Sequence, residues 1–251
     1  MLVAGRAGPE AGRADPDAGR NDLDAGRADL DAGRNDPPYR LVVLDFDGTL
    51  ANTFPWFARV LPGVADRYGF RRPTADEVEA LRALDARGVM RRLGVAGWKL
   101  PFIARHMHGL AARDAGALAL FPGIPALLGR LREGGIALAL VSSNREDVVR
   151  RVLGPDCAGL IGHYACGAGV FGKARRFAAV VRASGVSPGR VLCLGDELRD
   201  HAAAARAGLA FGAVTWGYTR GPALAAAGPA HLFATPEAVA AALLPPAARA
   251  A

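Results

Sequence analysis

Residues 41–50 read LVVLDFDGTL, and this short stretch decides the fold. Its four leading apolar residues are typical of a buried strand in a parallel sheet, where both faces are covered. Asp45 and Asp47 follow at once, and the alternation of side chains turns both to the same side. Gly48 then permits a sharp turn. Two carboxylates at a strand tip are costly to leave unpaired, so the segment predicts a site that holds a cation or a proton.

Four more short apolar runs follow along the chain, at residues 136–141, 160–164, 191–194 and 210–214. Each is followed by helix-like sequence, and repeated strand–helix units imply a parallel sheet covered on both faces.

Residues 53–120 contain no convincing strand and show only helical segments, at 55–69, 75–93 and 101–117. We therefore predict an α/β fold, with a Rossmann-like parallel sheet core and an α-helical cap inserted after the first strand. The core is expected over 39–52 and 121–251, and the cap over 53–120.

Residues 1–38 differ from this pattern. From residue 11 they repeat with a period of seven, as AGRADPD, AGRNDLD, AGRADLD and AGRNDPP. A coiled coil needs two apolar positions in each heptad, whereas these units offer at most one Leu each. Such a segment buries too little apolar surface to offset its ordering entropy, so we predict a disordered low-complexity tail over 1–38.

Polar residues also follow the later predicted strands. Ser142, Ser143 and Asn144 end the second strand and can donate hydrogen bonds to a phosphate oxygen, although Asn144 could equally cap the next helix. Lys173 begins the helix after the third strand, and it is one of only two lysines among 31 basic residues. Residues 195–200, GDELRD, end the fourth strand and add further carboxylates.

These groups are expected to meet, because ligands of open parallel sheets bind beyond the carboxyl ends of the strands. Carboxylate oxygens without a His or Cys cluster favour magnesium over zinc. We therefore predict Mg²⁺ as the cofactor.

The four strand-end groups resemble the motif set of the haloacid dehalogenase superfamily. Asp45 to Leu50 is similar to its first motif, Ser142 to its second, Lys173 to its third, and 195–200 to its fourth. The sequence in and around these motifs also resembles the phosphoglycolate-phosphatase-like branch, for example at Phe121-Pro122-Gly123 and Phe171-Gly172-Lys173. The resemblance covers nearly all of the chain from about Tyr39, and a helical cap after the first motif is what that branch implies.

The resemblance implies a role for each matched residue. Asp45 would be the nucleophile that forms an acyl phosphate, and Asp47 the general acid and then the general base. Ser142 and Lys173 would hold the transferring phosphoryl group and neutralise its charge. Magnesium would be bound by Asp45, by the backbone carbonyl of Asp47 and by Asp196.

The same resemblance suggests that Asp200 acts through a water molecule or orients Lys173. Glu197 stands where many relatives have Asp, and its longer side chain argues against metal binding, so it is only an additional candidate ligand beside the four aspartates. Around the phosphate, the candidate contacts are Gly48, Thr49, Ser143 and Asn144.

The predicted activity is hydrolysis of a small, phosphoglycolate-like phosphorylated metabolite by a phosphomonoesterase. Asp47 favours release of the phosphoryl group to water, because relatives that dehalogenate carbon lack an acid there and pumping ATPases carry Thr. One alternative is a phosphomutase acting on a sugar phosphate. Another is a non-catalytic binding module that keeps the fold and works through the tail.

Three cap residues have two open interpretations. Trp56, Trp98 and Lys99 either pack within the cap or reach the leaving group of the substrate. The sequence defines neither the substrate nor an oligomeric state.

Composition excludes several classes of protein. The net charge of +7 comes from scattered arginines without basic runs or interleaved aromatic residues, so no nucleic-acid partner is expected. No apolar run approaches the length of a membrane span, and the first residues lack the apolar stretch of a secretory signal. A cytoplasmic location is therefore expected.

Overall fold

The computed structural model describes residues 36–167 and 172–245. Residues 1–35 of the predicted tail lie outside the described residues, as does Phe171 of the third motif.

The described residues contain six strands and ten α-helices. The strands are Leu41–Leu44 (β1), Ala137–Val141 (β2), His163–Ala165 (β3), Val191–Gly195 (β4), Ala210–Val214 (β5) and His231–Phe233 (β6). The helices are Phe54–Tyr68 (α1), Ala75–Leu81 (α2), Ala86–Leu93 (α3), Leu100–Arg113 (α4), Ile124–Glu133 (α5), Glu146–Leu160 (α6), Lys173–Ser184 (α7), Leu198–Arg206 (α8), Gly221–Ala226 (α9) and Pro236–Leu243 (α10). Short 3₁₀ turns occur at Gly97–Lys99, Ala115–Ala117 and Pro188–Arg190.

The strands form one parallel sheet in the order β3-β2-β1-β4-β5-β6. β1 lies at its centre, where Leu41 pairs with Ala137 of β2 on one side and with Val191 of β4 on the other. The strand order therefore reverses beside β1, and a crevice forms at the carboxyl end of the sheet at such a point. Asp45 emerges directly into that crevice.

Alternate residues of β1 serve two separate cores. Val42 and Leu44 pack in a cluster with α5, α6 and α10, whereas Leu41 and Val43 pack in a cluster with α7 and α8. Helices thus cover both faces of the sheet, which explains why the strand is continuously apolar. The predicted α/β fold class is confirmed.

Five helices lie between β1 and β2, and the first four, α1 to α4, fall within the stretch predicted to be an inserted cap. The predicted helix over 75–93 is in fact two helices. Thr74 and Glu77 form a capping box at the start of α2, and the side chain of Asp85 accepts the N–H of Gly88 at 2.7 Å to begin α3. We keep 53–120 as the proposed bounds of the cap and 39–52 with 121–251 as those of the core.

The third strand was predicted over 160–164, and the prediction is wrong by several residues. Leu160 ends α6, and the ladder starts only where Gly162 donates its N–H to the carbonyl of Leu138 at 2.9 Å. The apolar pair Leu160 and Ile161 therefore packs as the end of a helix. The sixth strand, His231–Phe233, was not predicted, because three residues are too few to show a pattern.

No helix within the described residues is long and apolar enough to cross a membrane.

The central strands carry the core, so truncating one of their side chains will be costly. Leu140→Ala in β2 removes a fully buried side chain and should lower the free energy of unfolding by about 2–5 kcal/mol. Leu232→Ala in β6, where Leu232 is 47% exposed, is the matched control and should change it by at most about 0.5 kcal/mol. Urea unfolding followed by circular dichroism measures both, and equal effects would contradict this description of the core.

Candidate active site

The loop after β1 places its two carboxylates at different depths. Asp45 is anchored by its N–H, which donates to the carbonyl of Leu194 in β4 at 2.9 Å, and its side chain is buried. Asp47 is half-buried at the rim of the crevice. Both side chains line the same cavity, but Asp45 is buried whereas Asp47 is partly exposed.

Asp196, at the end of β4, is fully buried and tightly held. Its Oδ1 accepts the hydroxyl of Thr49 at 2.8 Å, and its Oδ2 accepts the N–H of Tyr218 at 2.7 Å. Gly48 has a φ of +74° and passes so close to this carboxylate that a Cβ would collide with it. The conformation and the space therefore both require glycine at this position.

Lys173, the first residue of α7, joins a carboxylate of the loop after β1 to one in the first turn of α8. Its Nζ lies 2.6 Å from Asp200 Oδ1 and 2.8 Å from Asp45 Oδ2. Burial alone would lower the pKa of Lys173, but the two carboxylates outweigh it and hold that pKa above its usual value. Lys173 is therefore a fixed positive charge beside Asp45.

Asp45, Asp196 and Asp200 bring carboxylate oxygens within 4.8 Å of one another. Burial, together with the neighbouring carboxylates, raises the pKa of both Asp45 and Asp196 well above its usual range. Asp200 Oδ2 is buried without a hydrogen-bond donor from the described residues, and Asp45 Oδ2 has the ammonium group of Lys173 beside it. Carboxylate oxygens gathered in a buried site with excess negative charge suit a hard divalent cation, so these residues fit such an ion.

Asp47 is held by Asn144, whose Nδ2 donates to Asp47 Oδ2 at 2.7 Å. The proposed capping role of Asn144 is not observed, because α6 begins at Glu146 and its N-cap is Arg145. Burial raises the pKa of Asp47, against the opposing effect of a hydrogen bond from Thr53. A raised pKa favours the protonated form, which is the form that a general acid requires.

Ser142 and Ser143 border the same cavity from the end of β2. Ser142 is buried, and its Oγ accepts the N–H of Asn144 at 3.1 Å. The cavity measures about 590 Å³ and is also lined by Asp45, Asp47, Lys173 and Arg199. We call it the phosphoryl cavity.

Glu197 is not one of the three residues whose carboxylate oxygens lie within 4.8 Å of one another. Its Oε1 accepts Arg199 Nη2 at 2.5 Å, so the structure brings it to an arginine rather than to the other candidate ligands. Sequence reasoning gave Arg199 no role, yet its guanidinium lies close enough to oppose the rise that burial causes in the pKa of Asp45 and Asp47. Together with Lys173 it also lowers the pKa of Asp200. Arg199 could have been found from the sequence by its position in GDELRD, in the first turn after the end of a strand.

Arginines also line the walls of the phosphoryl cavity. Arg87 reaches it from the cap, and Arg176 and Arg206 reach it from the core. The positive charge that looked scattered in the sequence is therefore partly concentrated at the site, where it favours an anion.

The three cap residues with two possible roles, Trp56, Trp98 and Lys99, have different surroundings in the structure. Trp56 is buried, and its indole N–H donates to Asp114 Oδ2 at 2.9 Å. Trp98 is 71% exposed, and Lys99 donates to the carbonyl of Tyr68 at 2.6 Å. Neither Trp98 nor Lys99 lies on the cavity walls that the structure describes.

Comparison with known proteins shows which family this chain resembles. Residues 42–214 match the family model of haloacid dehalogenase-like hydrolases. The phosphoglycolate phosphatase of Synechococcus elongatus is 30% identical over 78% of this chain and 93% of its own. The tyrosine-protein kinase PtkA of Mycobacterium tuberculosis is 28% identical over 72% of this chain and 64% of its own.

A crystal structure from Lactobacillus plantarum, of a candidate phosphoglycolate phosphatase, superimposes with a TM-score of 0.69. It is 22% identical and covers 80% of this chain and 97% of that one. At this identity the likeness supports the fold alone.

Removing the lysine tests the charge balance of the site. Lys173→Met would leave the Asp45 and Asp200 carboxylates without their cation and should lower the free energy of unfolding by about 3 kcal/mol at neutral pH. Added Mg²⁺ should recover part of the loss. Lys99→Met, which removes the other lysine, should cost less than about 1 kcal/mol.

Thermal unfolding with and without Mg²⁺ measures these differences. An equal loss in the two variants, or a Lys173→Met loss that Mg²⁺ does not reduce, would contradict the proposed balance.

Proposed function

This chain belongs to the haloacid dehalogenase-like hydrolase family, and we propose that it is a magnesium-dependent phosphomonoesterase acting through a phosphorylated Asp45. The observation that carries the proposal is the position of Asp45 in the phosphoryl cavity, 2.8 Å from Lys173 and beside Asp47 at the rim. A nucleophile, a fixed cation and an acid thus border one cavity large enough for a small phosphate ester.

The first step would transfer the phosphoryl group to the protein. A carboxylate oxygen of Asp45 attacks phosphorus, and the bond from phosphorus to the ester oxygen breaks. Asp47 gives its proton to that oxygen, so the alcohol leaves neutral. Lys173 and the hydroxyl of Ser142 stabilise the charge on the transferring group.

The second step would release phosphate. Asp47, now ionised, takes a proton from a water molecule as the water oxygen attacks phosphorus. The bond from phosphorus to Asp45 then breaks, which restores the carboxylate and frees inorganic phosphate. Asn144 holds Asp47 at 2.7 Å in both steps and keeps it at the rim.

Magnesium would be held by Asp45, Asp196 and the backbone carbonyl of Asp47, with Asp200 beside them. When bound, the cation supplies positive charge that stabilises the phosphoryl oxygens. Asp200 is bonded to Lys173 and orients it, which is one of the two roles that the sequence suggests. We leave Glu197 out of the proposed ligand set, because it is paired with Arg199.

Two other activities are distinguishable. A phosphomutase would interconvert sugar phosphates with little free phosphate, and a kinase such as the one named among the relatives would phosphorylate a protein. A general base at Asp47 could activate either water or a sugar hydroxyl, so the amount of free phosphate formed decides between hydrolysis and transfer. A non-catalytic module is not supported, because each motif residue is present. The expected cytoplasmic location stays a prediction.

The nucleophile is tested by removing one charge. Asp45→Asn should reduce Mg²⁺-dependent release of phosphate from p-nitrophenyl phosphate by at least about a thousandfold, because an amide is a poor nucleophile. Asp147→Asn, an exposed aspartate at the start of α6, is the control and should keep the activity of the unchanged chain. A rate in Asp45→Asn close to that of the control would rule out the mechanism.

A further inference from the structure

We propose that a second cavity, between the cap helices and Asp47, receives the alcohol part of the substrate and selects an apolar group. The inference rests on the proposed phosphatase function and names its substrate class. This cavity has a volume of about 340 Å³, and we call it the cap cavity. Asp47, Ser143 and Arg199 line both it and the phosphoryl cavity, so the two cavities adjoin at the rim.

The direction of the reaction places the alcohol on the cap side. Asp45 borders the phosphoryl cavity, where the phosphorus must lie for attack. Asp47 borders both cavities, and it is the group that would protonate the leaving oxygen. The ester oxygen would therefore lie at the shared rim, and the carbon part of the substrate would extend into the cap cavity.

The walls of the cap cavity are mostly apolar. All four cap helices contribute to them, including Phe54, Phe57, Leu81, Val89, Leu100 and Met107. Apolar walls with a few polar groups at the mouth are typical of a site for an organic ligand, and the volume lies in the range of such sites. An apolar group that leaves water for this cavity gains free energy in proportion to the area it buries.

The cations that line the cap cavity are already committed. Arg82 donates to the carbonyls of Gly217 at 2.8 Å and Tyr218 at 2.9 Å and pairs with Glu79 at 3.0 Å. Arg199 is paired with Glu197.

His108 is the other basic residue on these walls, and burial lowers its pKa, so its imidazole is neutral at neutral pH. Among the residues that the structure describes, the cap cavity offers no uncommitted cation for a carboxylate. A buried carboxylate without a partner is costly, so the cavity disfavours glycolate and favours an apolar alcohol.

Two primary alkyl esters test this preference, because their leaving oxygens have nearly equal basicity. The ratio kcat/KM should be at least about tenfold higher for cyclohexylmethyl phosphate than for ethyl phosphate. It should also exceed that for 2-phosphoglycolate. Equal values for the two alkyl esters, or a preference for 2-phosphoglycolate, would overturn the inference while leaving a phosphatase in place.

Two variants locate the effect in the cap cavity. Ala104→Leu fills space on the wall contributed by α4 and should lower kcat/KM for cyclohexylmethyl phosphate at least about tenfold, with ethyl phosphate nearly unchanged. Gly109→Ala, at an exposed position of the same helix with open space around it, should change neither value. Val78→Thr keeps the volume and adds a hydroxyl, so it serves if Ala104→Leu does not fold. An unchanged preference in a folded cavity variant would overturn the assignment.

Calorimetry separates this inference from the proposed function. If no ester releases phosphate, the phosphatase proposal fails. The affinities of cyclohexylmethylphosphonate and ethylphosphonate, compared by calorimetry, then test the cap cavity independently of catalysis. Tighter binding of the larger phosphonate supports the apolar site, and equal binding contradicts it.

Discussion

The contacts of Lys173 with Asp45 and Asp200 are the constraint on which the rest of the site depends. Three carboxylates, two from strand ends and one from the first turn of α8, gather in a buried crevice, and one lysine neutralises only part of their charge. The remaining negative charge favours a divalent cation, and the combined positive charge suits a phosphate ester. The close passage of Gly48 past Asp196 and the two hydrogen bonds to that carboxylate keep the cluster rigid.

Much of the fold could be predicted from the chain because β1, β2, β4 and β5 are continuously apolar and each precedes a helix. The edges of the sheet were harder to predict. β3 and β6 have three residues each, so their pairing depends on neighbours that the sequence pattern does not reveal. The break between α2 and α3 depends on the capping by Asp85, a local signal inside a longer helical pattern.

The meeting of the carboxylates with Lys173 could be predicted because each sits at a strand end or a helix start, and such positions lie at one sheet edge. Side-chain partners could not be predicted in the same way. Asn144 contacts Asp47 instead of capping a helix, and Glu197 turns to Arg199. The first contact depends on a distance across the crevice, and the second depends on how two residues close in the chain turn at the start of α8. The cap cavity is less predictable still, since its walls come from four helices whose packing the sequence does not specify.

Direct detection of the phosphorylated aspartate tests the central claim most sharply. In Asp47→Asn the second step lacks its base, so the phosphoryl group should accumulate during turnover of p-nitrophenyl phosphate with Mg²⁺. Acid quenching, proteolysis and mass spectrometry should then find the added phosphoryl group on the peptide containing Asp45. Phosphate release without any modified peptide, or a modification on another residue, would contradict the account.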